Sequence, residues 1–489
     1  MKLITSISLK RSSRTLVLTS TMAMLLSACM VGPNFQKPAA PATQHYDAQA
    51  EQQLGSADKA VETQHIDLGK SIEGNWWTSL GSAKLDAVMS KAVTGNFDLE
   101  AADATIAQAN DAVASAAGRL RPQVGFGATG GRGRENSGGV TATSNFYSVG
   151  PQVSYDFDIF GGNKRLVEER TAQAELQKHK FDAAYLTVTG DVASEAIQLA
   201  SARAQIDAVQ VLIADDQKNL ELVQGAHEHG SATQVDVALA TTQLAQDRTL
   251  LPPLTQQRDV ARHALSILVG KSPGEWMAPD FDLSDFILPQ DVPVSLPSEL
   301  ARNRPDILEA EAELHASSAA IGVATADMYP HLTLSASLAT AGPGIGTLWG
   351  IAGGLAGPLY AGGTLKANRQ ASIDGYKASY ANYQQTVIKS LGQVADVLQG
   401  VNHDAEEYAA QEQALNAAQT SLQLNQQGYQ VGETSVLQVL DAQRSYQRAL
   451  IGEIQAKTAR YLDTVQLSVA LGGNANGASE QRVAYNDKP

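Results

Sequence analysis

The chain has 489 residues, 36 Lys and Arg against 51 Asp and Glu, and a single cysteine. A net charge of −15 works against nucleic acid or an anionic membrane surface as partner, and one cysteine excludes intrachain disulfides and thiolate metal sites. No stretch beyond the N-terminus approaches 18 uninterrupted apolar residues, so any membrane crossing there would have to be made by strands.

The N-terminus carries Lys2, Lys10, Arg11 and Arg14 with no acid, then an apolar or small-residue run from Leu16 to Ala28. A basic start, a short apolar core and a small-residue exit predict an export signal over 1–28, too short to span a bilayer as a helix. The leader holds four of the cations, which takes the remaining chain to −19. Leu26-Ser27-Ala28-Cys29 resembles the lipobox of bacterial lipoproteins, in which the signal is cut before the cysteine and the cysteine is acylated. Several acyl chains, at ~0.8 kcal/mol per buried CH₂, anchor stably. "VGPNFQKPAAP" then reads as an extended tether, since its three prolines disfavour a helix.

Past residue 76 the chain repeats itself. "AAGRLRPQVGFGATG" parallels "ATADMYPHLTLSASL", "YDFDIFGGNKR" parallels "LAGPLYAGGTLK", and "VQGAHEHGSATQVDVALATTQL" parallels "NQQGYQVGETSVLQVLDAQRSY". The order is constant and the spacing stays close to 202 residues, the separation of Gly230 from Gly432. Two copies of one unit follow, 76–270 and 297–473, joined by a connector over 271–296 and flanked by segments 29–75 and 474–489. Each unit predicts a helix before the strands (about 84–120 and 300–329), a pair of strands, a long helix (Gly162 to His229; Gly363 to Val431) and a returning helix (about 234–270 and 435–471). One long helix beside two stacked short ones makes an elongated rod.

The long helix of the second copy carries a coiled-coil seam: Ile373, Tyr376, Tyr380, Tyr383, Val387, Leu391, Val394, Leu398, Val401, Ala405, Tyr408. Its steps of three and four contain one extra four, a stutter that locally unwinds a supercoil. The strand candidates alternate. Val124, Phe126 and Ala128, then Val149, Val153, Tyr155 and Phe157, then Leu332, Leu334, Ala336 and Leu338, then Trp349, Ile351 and Leu355 interleave with polar or small residues. That pattern suits a transmembrane strand and a half-buried soluble strand equally. "GGRGRENSGGVTATSN" between the first two predicts a long polar loop. Four strands leave open edges that lipid forbids, so strands in a membrane would require several chains to share one barrel.

Four stretches carry a specific resemblance: "CMVGPNFQKP" (29–38), "NWWTSLGSAKLD" (75–86), "LPSELARNRPDILEAEAEL" (296–314) and "GYQVGETSVLQVLDAQRSY" (428–446). Through them nearly the whole mature chain resembles the TolC-like outer-membrane factor family, in its lipoprotein subgroup of OprM/NodT type. The resemblance implies an α+β membrane protein. It would be a homotrimer with four strands per chain in one β-barrel, continuous with a long periplasmic α-helical coiled-coil barrel and a small equatorial domain. It implies a passive duct in the outer membrane of a Gram-negative bacterium, held by lipid at Cys29. The duct would be served by a periplasmic adaptor and an inner-membrane efflux pump of the RND type, without cofactor or catalysis. Two other readings compete: a type I protein secretion duct and a periplasmic coiled-coil scaffold lipoprotein.

The matching turns at 230–236 and 432–438 would be the periplasmic tips and the adaptor contact. Gly230 and Gly432 suit the left-handed position that ends a helix, and Thr233 and Ser435 suit N-caps of the returning helices. Asp236 and Gln438 fall where a capping-box partner belongs, a reading that outweighs a pore role for them. By resemblance Asp441 matches the acidic position whose symmetry copies ring the closed mouth, and Leu437 an apolar plug beside it. Gln438 and Asp236 complete the constriction, with Gln438 standing where some relatives carry a second acid. Tyr429, Arg444, Thr233 and Thr434 match positions that stabilise the gate, although Arg444 could also simply pair with Asp441 three residues away. His227 and His229 read as a solvated helix end rather than metal ligands, and "GPGIG" (342–346) as a strand connection rather than a nucleotide loop.

Overall fold

The structure, a computed structural model, describes residues 30–47, 64–72, 75–137, 140–342, 346–473 and 478. The leader, Cys29, most of the C-terminal tail and the centre of "GPGIG" therefore lie outside the described residues. Two compact units are present. One comprises residues up to Pro38, Ala104–Lys178 and Glu309–Gln384; the other holds Ala39–Asp103, His179–Leu308 and the chain from Gln385 onward.

The first unit is built on four antiparallel strands, β2 (Gln123–Ser137), β3 (Val140–Phe157), β5 (His331–Gly342) and β6 (Gly346–Ala356), in the order β2-β3-β5-β6. Register carries the sequence alternation across the sheet. Val124 lies opposite Val153, Val153 opposite Ala336 and Ala336 opposite Ile351, while Phe157, Leu332 and Leu355 form a second such row. Directly opposed residues share a face. One face is therefore apolar, and the other carries Gln123, Ser154, Ser335 and Ala352 in one row, Gln152 and Ser337 in the next. The apolar face is bare: Val124, Phe126, Trp349, Ile351 and Leu355 are 69–77% exposed. In a half-buried soluble sheet the chain's own core covers such a face; here the described residues leave it uncovered. The predicted long polar loop is not a loop. β2 and β3 stay paired out to Ser137 and Val140, because ladder hydrogen bonds are made by backbone and tolerate polar side chains.

The same unit holds the segment after Cys29. Arg165 is 1% exposed and spends its guanidinium on that segment, with Nε donating to the Val31 carbonyl (3.1 Å) and Nη2 to the Gly32 carbonyl (3.3 Å) and to Asn34 Oδ1 (2.7 Å). Its Nη1 pairs with Glu168 at 2.6 Å. Val31 N–H donates to the Phe160 carbonyl, and Phe35 stacks on His315 with ring centroids 4.4 Å apart. Gly32, at φ +90°, presses on Gly322, where a Cβ would stand 2.5 Å from the Gly322 Cα. The segment forms neither helix nor strand, in keeping with its prolines, and from Val31 onward it is clasped rather than free. Arg165→Ala should expose it: a nonspecific protease is expected to cut within 31–38 about tenfold faster or more, the equivalent of ~1.4 kcal/mol of local protection. An unchanged rate would take Arg165 out of the clasp.

Helices fill the remainder. They are α1 (Ala83–Gly95), α2 (Phe97–Gly118), α3 (Gly162–Glu228), α4 (Gln234–Arg248), α5 (Leu251–Leu268), α6 (Pro297–Asn303), α7 (Pro305–Ala326), α8 (Thr364–Gln430) and α9 (Val436–Ala470). The two long helices, α3 and α8, have 67 residues each and the expected limits. Along the α8 seam Tyr383, Val387, Val394, Leu398, Val401 and Ala405 are buried, and only Tyr380 is exposed. Three of the four shorter helices are broken where a single helix was expected. Asn96 divides α1 from α2, its Oδ1 accepting from the N–H groups of Asp98 and Leu99. Pro252 and Pro253 interrupt the return after Arg248 by removing two donors. Pro305 forces Arg304 to an extended ψ of 125°, which separates α6 from α7.

In the second unit a short parallel pair, β1 (His65–Leu68) with β4 (Asp291–Val294), brings the N-terminal segment onto the connector. Ile66, Val292 and Val294 pack there with Leu300, Val394, Leu398, Val401 and Leu467. Arg304 fastens the helix break: its Nη1 donates to the Ala470 carbonyl at 2.6 Å, a C-terminal cap on α9, and its Nε to Asp306 at 2.8 Å.

Candidate functional site: the paired helix turns

The turns between α3 and α4 and between α8 and α9 are built alike. The Ala226 carbonyl accepts from Ser231 (2.9 Å) and Ala232 (3.2 Å); 202 residues on, the Gly428 carbonyl accepts from Glu433 (2.8 Å) and Thr434 (3.3 Å). Gly230 and Gly432 take φ of +78° and +80°, where a side chain would be strained. Both capping boxes form. Thr233 Oγ1 accepts from Asp236 N–H and Asp236 Oδ2 accepts from Thr233 N–H (2.8 Å); Ser435 and Gln438 do the same, with Gln438 Oε1 2.7 Å from Ser435 N. The two donors of Thr233 hold the Asp236 carboxyl below the usual aspartate range. Thr434 Oγ1 donates to the Asn425 carbonyl (2.9 Å), which ties the second turn to the end of α8. Each box is worth on the order of 1 kcal/mol, so the turns are set locally by their own residues.

Beyond the cap, α9 divides by face. Val436, Val439, Leu440, Ala442 and Gln443 are buried, whereas Leu437 (56% exposed), Gln438 and Asp441 share the open side. Asp441 and Leu437 are thus brought together. Gln438 lies beside them with its side chain committed to the cap, and Asp236 stands at the first turn of α4 with its carboxylate likewise engaged. Arg444 does not pair with Asp441; its Nε donates to Gln243 of α4. Tyr429 is half-buried at the end of α8. His227 and His229 turn their Nδ1 atoms to the carbonyls of Ala232 and Gly225 (2.9 and 2.7 Å), closing the helix end. Among the described residues no group of three or more side chains could hold a metal ion.

Two carboxyls that the sequence reading passed over lie behind this face. Asp216 of α3 and Asp247 of α4 are 2% and 3% exposed and neighbour each other, and Asp216 Oδ2 is buried without a hydrogen-bond partner. Gln443 of α9 donates to Asp216 Oδ1 at 2.7 Å, and Gln243 donates to Asp247 Oδ2 at 2.8 Å. Asn219 donates to Gln443 Oε1 at 2.8 Å. Burial first, and the neighbouring Asp247 next, push Asp216 up to about 8. A signal was present: Val209, Leu212, Asp216, Asn219 and Val223 step by three and four, which places a carboxyl in a packing seam.

Comparison with known proteins gives a consistent picture. The model of the outer membrane efflux protein family matches residues 88–271 and 296–473. The pyoverdine export outer membrane protein OpmQ of Pseudomonas aeruginosa is 31% identical over 414 residues, 81% of this chain and 87% of that protein. Nodulation protein T of Rhizobium leguminosarum bv. viciae is 27% identical over 93% of this chain and 92% of its own length. The crystal structure of the Campylobacter jejuni CmeC outer membrane channel superposes with a TM-score of 0.84 at 20% identity, covering 94% of this chain and 98% of that one.

Proposed function

Because this chain belongs to the outer membrane efflux protein family, we propose that it is the outer-membrane exit duct of a tripartite efflux system, passively conducting small toxic compounds outward. The bare apolar face of the four-stranded sheet carries the reading. Such a face needs an apolar cover, which lipid would provide, and there the unpaired outer edges of β2 and β6 would meet strands of other copies. Three copies give a twelve-stranded barrel with room for a lumen lined by the polar face. The long helices with their seams would form the periplasmic barrel from two structural repeats, and β1 with β4 part of an equatorial belt. Acylation at Cys29 would add a second anchor, delivered to the wall by the Arg165 clasp.

In the trimer the open side of α9 faces the axis, so Asp441 and Leu437 close the periplasmic mouth. Tyr429, Arg444, Thr233 and Thr434 hold the helix pairs in that state, and the turns at Gly230 and Gly432 receive the adaptor. An RND-type pump behind the adaptor supplies the energy. The relatives include exporters of pyoverdine and of cations, which supports small solutes as cargo. Purified lipidated protein in planar bilayers should give discrete single-channel steps, larger when Asp441 is replaced by Ala. No conductance from either protein would overturn the duct.

A further inference from the structure

We propose that Asp216 and Asp247 share one buried proton that clamps α4 to α3 and, through Gln443 and Arg444, positions the gate-bearing start of α9. The link to gating rests on the duct reading; the shared proton does not.

The geometry leaves little choice about the proton. Each carboxyl has one oxygen capped by a glutamine amide, Gln443 on Asp216 and Gln243 on Asp247. The other Asp216 oxygen, Oδ2, is fully buried and has no hydrogen-bond partner, although the Asp247 carboxyl neighbours it. Two ionised carboxylates in that contact would repel with no water to screen them, so one proton placed between them converts repulsion into a hydrogen bond. The surrounding charges do not remove the need. Asp215 on α3 and Asp247 on α4 favour the proton, and Arg444 on α9 alone opposes it. Arg444 also gives its Nε to Gln243, so its charge is partly engaged with the same network.

That network crosses three helices in one chain of contacts: Asn219, Gln443, Asp216, Asp247, Gln243 and Arg444. Gln443 and Arg444 sit within three residues of Asp441. The pair thus holds the returning helices together immediately behind the open face of α9. Asp216 and Asp247 are positioning residues, reaching the mouth only through α9. Release of the proton above about pH 8 restores the repulsion, frees α4 and loosens the tip.

The test uses full-length lipidated protein in detergent, as wild type, Asp216→Asn and Asp216→Ala. The Asp216→Asn substitution keeps the shape, and its amide can donate to the Asp247 carboxyl, a fixed mimic of the protonated pair. Infrared difference spectra should give wild type a protonated-carboxyl band at pH 7 that fades by pH 9, and Asp216→Asn no such band. Amides of 234–248, corrected for intrinsic exchange, should lose protection about tenfold more in wild type than in Asp216→Asn over that rise, following the fraction deprotonated one unit above the pKa. Asp216→Ala, where it folds, should exchange at pH 7 as wild type does at pH 9. Identical bands in wild type and Asp216→Asn, or equal loss of protection, would overturn the shared-proton clamp. In bilayers, alkaline opening of wild type but not of Asp216→Asn supports the link to the gate, and equal opening overturns that link. Silence from every variant would overturn the duct reading while the infrared and exchange results still decide the clamp.

Discussion

Cells that carry Asp441→Ala in place of the wild-type chain are expected to become sensitive to a large glycopeptide antibiotic normally excluded by the outer membrane, by roughly tenfold or more at equal expression, about 1.4 kcal/mol of gate free energy. In one chain Asp441 stands on the open side of α9, one turn from Leu437, with the buried residues of the helix behind it. Around a threefold axis its copies would meet. Carboxylates about 6 Å apart repel by ~1–3 kcal/mol per pair at effective dielectrics between 80 and 20. A closed mouth can hold them only with bound cations or protons in compensation, so the ring with its cation becomes the plug. Alanine removes both the charge that recruits the cation and the bulk that narrows the mouth. Asp441→Asn separates the two, and should keep most of the barrier to large solutes while losing any block by divalent cations added on the helical side. Unchanged susceptibility in Asp441→Ala would remove the residue from the gate.

Much of the two helix turns was legible because their determinants are local. A glycine that must take positive φ, a Ser or Thr cap and an acceptor three residues on are contained in seven residues, and the two turns carry them 202 residues apart. The limits of α3 and α8 were equally readable, since glycines punctuate both ends. The sheet was readable as alternation, but alternation records two faces and is silent on what covers them; the exposure of Phe126, Trp349 and Ile351 shows that the chain's own core does not cover the apolar one. Contacts between distant segments were not legible. Nothing local in "GGNKR" says that Arg165 grips Val31 and Asn34 some 130 positions earlier. Asp216 stood in a seam, yet its partner Asp247 comes from another helix, and pairing across helices depends on a register that the spacing of one helix does not contain. The helix breaks at Asn96 and Pro305 fell between these cases. Their residues are obvious breakers, but the repeat invites reading through them.

Ile351→Arg should prevent assembly in the membrane, whereas Ser335→Arg on the opposite face of the same sheet should be tolerated. Ile351 lies opposite Ala336 in the apolar row, 69% exposed in the single chain; Ser335 lies opposite Ala352 in the polar row. An arginine on the lipid face of a barrel costs ~2–4 kcal/mol at the midplane, so three copies cost about 6–12 kcal/mol, comparable with the whole stability of a folded domain. The same side chain turned into a water-filled lumen keeps its hydration and costs little, although three added charges there should shift ion selectivity toward anions. The pair of variants therefore separates a membrane face from a merely exposed one, and does so without reference to cargo, pump or adaptor. Heat-modifiable trimer in outer-membrane fractions is the measurement. Wild-type yield from Ile351→Arg would mean that the apolar face meets protein rather than lipid. The acyl chains sharpen the comparison, because an Ile351→Arg protein still lipidated at Cys29 would reach the membrane surface and fail only at insertion. Membrane-associated but non-trimeric Ile351→Arg protein is thus the outcome expected if the lipid is a second anchor and the strands are the first.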